Sequence, residues 1–161
     1  MSQTSDARIE RFHAWMRRVP HWLLSVVCLA LVLWLTLAPH PMGDTEIPLF
    51  EGADKIGHGL MFFALTVSML FDAQRARGWR ALPLPLVALV AFIGMGMGIG
   101  IEFIQRAMDV GRSWEFLDMV ADSFGAIAAG SLWIFAGGWF DLTRNEIEKI
   151  EKEKESNDKK S

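Results

Sequence analysis

Four apolar stretches, near 22–38, 56–71, 82–101 and 116–140, are set apart by charge, and no other feature restricts this chain as much. They lack the alternation of apolar and polar residues that a membrane barrel strand requires. A bilayer core about 30 Å thick takes a helix of roughly 20 residues, with about 17 as the lower limit. The first, third and fourth stretches reach that length, and the second does so only with the polar residues ahead of Ile56. In hydrocarbon only helices and closed barrels satisfy their own backbone groups. The expected fold is therefore all-α, an integral membrane four-helix bundle over 22–140. A basic amphipathic segment, 1–21, precedes it and a charged tail, 141–161, follows. With 161 residues the chain has room for one domain. Its hydrophobic fraction of 52%, with seven Trp, eleven Phe and no Tyr, fits helices that meet lipid.

The first stretch follows Arg17 and Arg18 and ends at the small residue Ala38, as a signal peptide would. Pro39 makes a poor cleavage context, and the run is long enough to span, so it is expected to stay as an anchor. Cys28, the single cysteine, lies within it and has no partner for an internal disulfide.

Orientation follows from the basic residues. Arg8, Arg11, Arg17 and Arg18 precede helix one, Arg75, Arg77 and Arg80 separate helices two and three, and Arg144, Lys149 and further lysines fill the tail. The gap between helices one and two has acids and no base before Lys55. The gap between helices three and four has Arg106 and Arg112 offset by Asp109 and Glu115. Both termini and the middle loop are expected in the cytoplasm, making this a multi-pass protein of the cytoplasmic membrane. The segment DARIERFHAWMRRVPHW has the character of a helix lying on the inner membrane surface. The tail NEIEKIEKEKESNDKKS mixes both signs and reads as a solvated helix end that frays.

Helical rise places the polar residues. Counted from Asp72 at the inner end of helix two, Asp54 lies roughly 27 Å away, at the outer edge of the hydrocarbon, with His58 one turn deeper on the same face. Counted from Pro83 and Pro85, Glu102 lies about 28 Å along helix three, with Gln105 on its face. Counted back from Phe140, Asp122 lies about 27 Å along helix four, with Asp118 one turn further out. An ionisable residue in the core costs about 2.5–3.5 kcal/mol on insertion scales and faces a partner or a cavity. His58, Glu102, Asp118 and Asp122 are expected to form one outward polar cluster, with Asp54 within reach of His58. Lys55, Gln105 and Arg112 complete the candidate ligand-binding set. Gly94/Gly98 and Gly96/Gly100 in GMGMGIGIE, with Gly125, Ala126, Ala129 and Gly130 in helix four, are small residues that allow close helix approach.

Asp54-Lys55-x-x-His58, Glu102-x-x-Gln105, Gly111-Arg112 and Asp118-x-x-x-Asp122-x-x-Gly125, in this order and in a four-helix frame, resemble the VanZ family of bacterial membrane proteins. The resemblance covers about residues 20–140. It implies a cytoplasmic-membrane protein of the cell envelope, associated with resistance to teicoplanin, and supplies no settled reaction. The chain departs from the family pattern at three places. Asp122 stands where Asn is common, Ala129 (beside Gly130) stands where a Gly is common, and Val110 replaces a proline. Asn at the first position implies a hydrogen-bonding role there rather than an obligatory charge.

Four functions compete. A binder would hold a lipid-linked envelope precursor or a glycopeptide at the outer leaflet, with Arg112 contacting phosphate or carboxylate. A membrane hydrolase or transferase would use His58 as general base, oriented by Asp54, with Glu102 or Asp118 as acid. No nucleophile elbow or His-Glu-x-x-His pattern accompanies these residues. A transporter would need polar groups in the cytoplasmic half, where the helices have none by this count. A purely structural protein would need only helix packing. His58 and the carboxylates have metal-ligating chemistry, but their spacing matches no metal motif, so the expectation is no metal and no cofactor. The expected partner is the lipid bilayer with no nucleic acid, and an oligomer is allowed.

Overall fold

The computed structural model describes residues 19–38, 52–108 and 115–158, with side chains as far as 137 and at 152 and 156. Among the described residues all regular structure is helical: α1 (Leu23–Leu37), α2 (Ala53–Ala76), α3 (Leu84–Met108) and α4 (Phe116–Asp158). The amphipathic character read for 1–21 falls almost wholly outside the described residues.

Among the described residues three spans are long and apolar enough to cross a bilayer: α2, α3 and the Phe116–Gly137 part of α4. The second stretch reaches this length as anticipated, because its helix starts at Ala53 and takes in the polar residues before Ile56. The first does not. α1 has 15 residues, about 22 Å against a core of about 30 Å. Proline sets both limits. Pro20 lies in the turn that accepts the first hydrogen bond, from Leu23 N–H. Ala38, just before Pro39, is extended (ψ 136), as the residue ahead of a proline prefers.

α2 ends in a Schellman motif. Trp79 N–H donates to Gln74 C=O and Gly78 N–H to Arg75 C=O. Gly78 takes φ 66 and Trp79 φ 63, the second being uncommon for a side-chain-bearing residue. The Trp79 ring meets Phe71 edge-on at 5.4 Å, which holds the turn against its own helix. Pro83 and Pro85 then open α3, where missing amide hydrogens cost nothing. α4 shows no break where its sequence changes from apolar to charged near 140.

α2 is the central element and packs on all three others, most extensively on α4; among the described helices α1 touches α2 and α3. α1 and α3 run opposite to α2, while α4 runs parallel to it. Side-chain pairs at both ends establish this: Ser25–Asp72 and Gln105–Thr36 for α1, His58–Asp122 and Gln74–Trp133 for α2 with α4. Close contact of α2 with α4 depends on Gly59 and Gly125. A Cβ on Gly125 would collide with the Gly59 carbonyl oxygen and lie 3.0 Å from Phe63 N. Of the two glycine pairs in α3 only one packs. Gly94 faces Thr66 and Ala126, and Gly98 faces Asp122, whereas Gly96 and Gly100 have nothing within 4 Å. Alternate residues on a helix point to opposite sides, so one pair had to face away.

The interior is unusually polar for a folded chain. Ten described apolar residues are buried, against eleven polar or charged ones. Two small apolar clusters form the core, one of Val32, Phe62, Leu65 and Ile101, with Cys28 packed against it, and one of Leu70, Val87, Val90 and Trp133. The outside bears Phe92, Phe124 and Phe135, each more than two-thirds exposed. Water would drive the reverse arrangement, and lipid permits this one.

Candidate functional site

Two layers of polar side chains lie where α2 and α4 begin and α3 ends. The outer layer centres on Lys55. Its ammonium donates to Asp54 Oδ2 at 2.6 Å and to Glu115 Oε2, and lies 3.3 Å from Asp118 Oδ1. Asp54 is exposed and Asp118 is buried. One cation thus faces three carboxylates, Asp54 on α2, Asp118 on α4 and Glu115 just ahead of α4.

The inner layer, a turn deeper, joins His58, Glu102 and Asp122, one from each of α2, α3 and α4. All three are buried, at 9%, 1% and 0% exposure. His58 Nδ1 lies 3.1 Å from Asp122 Oδ1 and 4.0 Å from Glu102 Oε1. Asp122 Oδ2 and both oxygens of Glu102 have no hydrogen-bond partner. Local packing fixes this arrangement. The Gly59–Gly125 contact brings α2 against α4 within a turn of His58 and Asp122. Gly98 leaves the space that Asp122 fills, since a Cβ there would lie 2.7 Å from Asp122 Cβ and 2.9 Å from Oδ2.

The depth counts made from the sequence therefore converge in space, but the partners differ. Asp54 pairs with Lys55, and the imidazole it was expected to orient is held by Asp122. The physical reason is distance from solvent. Asp54 sits at the exposed first turn beside an ammonium, while Asp122 faces His58 across a buried interface. Asp118 belongs with Lys55 in the outer layer. Gln105 leaves the cluster altogether, its Nε2 donating to Thr36 C=O at 2.8 Å. Arg112, with the Gly111-Arg112 loop, lies outside the described residues.

Sequence reading missed a polar group at the opposite end. Asp72, Gln74 and Arg75 of α2 are buried there. Asp72 Oδ2 accepts from both Ser25 N–H at 2.8 Å and Ser25 Oγ at 2.7 Å. Arg75 donates to Val19 C=O, and Trp133 Nε1 donates to Gln74 Oε1. The expectation that the inner half carries no charged residue is corrected accordingly. Taking Asp72 as the wet end of helix two obscured it; the run Asp72-x-Gln74-Arg75 within the helical repeat was the available signal. Asp72 and Gln105 together explain how so short a helix as α1 is kept. Each supplies a partner to one of its ends, the first to an early N–H and the second to a late C=O, which a helix leaves unmatched.

Beside the outer layer, α2 and α4 form a groove of about 360 Å³ lined by Lys55, Gly59, Leu60, Phe63, Phe124 and Gly125, among others. Its walls are apolar and it opens on the lipid-facing side, where Leu60 and Phe124 are exposed. Comparison with family models, with curated proteins and with solved structures gives no match.

Proposed function

We propose that this is a VanZ-like protein of the cytoplasmic membrane that binds an amphipathic envelope ligand, a lipid-linked precursor or a glycopeptide, at the His58–Glu102–Asp122 cluster. One observation carries the reading. Glu102 is buried in a membrane-spanning helix with neither carboxylate oxygen partnered. A group in that state is costly in hydrocarbon, and helix packing alone would be better served by an apolar side chain. The groove beside Lys55 supports a ligand with an apolar tail, its head reaching the two polar layers and its tail lying along Phe63 and Phe124. The distribution of arginines supports placing this end outward and both termini in the cytoplasm.

An enzyme is the second reading, favoured by the His58–Asp122 contact at 3.1 Å. A carboxylate fixing one imidazole nitrogen is how a general base is oriented. The target would then be a phosphoester or amide of the same lipid-linked class.

Expression of wild type, His58→Gln, Glu102→Gln and Arg112→Ala at matched membrane levels, scored for teicoplanin susceptibility, tests the proposal. Protection by wild type and its loss in all three is the expected result. Protection by the cluster variants equal to wild type would reduce the cluster to helix packing.

A further inference from the structure

We propose that His58, Glu102 and Asp122 bind one divalent transition-metal ion of the zinc class. This deepens the reading of the cluster as a ligand site and rests on it.

The donor set comes first. One imidazole nitrogen and one oxygen from each carboxylate lie within 4.8 Å of one another. Zinc bonds of about 2.0–2.2 Å in a tetrahedron place neighbouring donors about 3.3–3.6 Å apart. The observed separations from His58 Nδ1, 3.1 Å to Asp122 and 4.0 Å to Glu102, fall on either side of that value. The two carboxylates also lie within 4.8 Å of each other, so rotation of the side chains would draw the three donors around one ion. An imidazole among the donors favours zinc-like ions, while calcium and magnesium prefer all-oxygen shells with more ligands.

An independent observation points the same way. Glu102 is 1% exposed with both oxygens unpartnered, and Asp122 Oδ2, fully buried, is unpartnered too. Three buried acceptor atoms thus lack a hydrogen bond on the two carboxylates that flank His58, and a cation bound between these carboxylates and the imidazole would offset that cost.

The outer layer provides a contrast. Asp54, Glu115 and Asp118 also have oxygens close enough to share a metal, yet the Lys55 ammonium already lies among them. Lys55 thus supplies that layer with a cation, hydrogen-bonded to Asp54 and Glu115 and 3.3 Å from Asp118, whereas among the described residues no lysine or arginine is paired with the inner carboxylates. Three protein ligands leave a fourth position open. A phosphate or carboxylate oxygen of an envelope ligand would complete it.

The test uses the full-length protein purified in detergent, stripped with a chelator, exposed to zinc and desalted. Zinc per chain is measured by mass spectrometry, and cobalt substitution is followed by visible absorption. One zinc per chain and the intense bands of four-coordinate cobalt are expected. His58→Ala and Glu102→Gln should lose at least about tenfold in affinity, while Asp118→Asn in the outer layer should not. Asp122→Asn should weaken binding less than Glu102→Gln, because its fixed amide oxygen still faces His58. Size-exclusion and circular-dichroism profiles confirm that each variant is folded. Wild type that retains no zinc above background overturns the proposal, as do folded His58 and Glu102 variants that bind zinc normally. The same variants in the susceptibility assay separate the two readings. Stoichiometric, cluster-dependent zinc without protection leaves the metal site standing and removes the envelope-ligand reading. Cluster-dependent protection by a protein that binds no zinc does the opposite.

Discussion

Glu102→Met should make the metal-free protein more stable while abolishing its function. Glu102 is 1% exposed with two unpartnered oxygens. A buried polar group left unsatisfied costs about 1–3 kcal/mol, and more when charged. Methionine fills a similar volume without a polar atom and adapts to irregular space. A roughly volume-conserving exchange costs less than about 1.5 kcal/mol. His58 keeps Asp122 at 3.1 Å, so no new orphan arises. A repacking cost of up to about 1.5 kcal/mol set against a removed penalty of about 1–3 kcal/mol, larger for a charged carboxylate, centres the net gain on about 1–2 kcal/mol. At roughly 2–4 °C per kcal/mol for a chain of this size, the apparent midpoint rises by about 2–8 °C. Tryptophan fluorescence during a thermal ramp reads this directly, with seven Trp as reporters, on chelator-treated protein in detergent. Added zinc should reverse the order. A metal at 100 times its dissociation constant stabilises wild type by about 2.7 kcal/mol and leaves the variant unchanged. A midpoint for Glu102→Met below that of wild type after chelation would refute the reasoning, since Glu102 would then be held by favourable contacts and the cluster would be a clamp.

Three further outcomes follow from the packing. Gly125→Val should push α4 off the Gly59 carbonyl, costing about 1–3 kcal/mol as overpacking does, with His58→Gln far less harmful to folding when both are compared by thermal midpoint. Asp72→Ala should remove both Ser25 hydrogen bonds, a loss of about 1.5–3 kcal/mol, and hydrogen exchange at the Ser25 amide should accelerate while the far end of α2 keeps its protection. Gln105→Leu should remove the hydrogen bond to the Thr36 carbonyl at a cost of about 0.5–1.5 kcal/mol, read as a lower thermal midpoint, without changing zinc stoichiometry; an effect on zinc would return Gln105 to the site.

What the sequence revealed depended on how far a rule of one helix carries to several. Length and hydropathy located α2, α3 and α4, because spanning a bilayer is a property of a single segment. Rise per residue brought His58, Glu102 and Asp122 to one depth, because depth along parallel axes is also a one-helix quantity. Partner choice is a matter of rotation about each axis, and there the reading failed. Asp54 is a turn from His58, yet Asp122 took that place because Gly98 and the Gly59–Gly125 contact turn α4 toward it. The same limit hid the roles of Gln105 and Asp72, whose partners sit on α1, 69 and 47 residues away in sequence.

α4 runs unbroken for 43 residues, about 64 Å of continuous rod. Its first turns carry Asp118 and Asp122, while the portion after Gly137 projects about 30 Å beyond the membrane-spanning part. Such a rod is a lever with its short arm at the polar layers. A tilt change of about 10°, small against the range of 0–40° that membrane helices adopt, would sweep the far tip sideways by about 5 Å. Whatever draws Asp122 toward or away from His58 at one face of the membrane is thereby amplified into a displacement at the other, with no hinge along the way to absorb it.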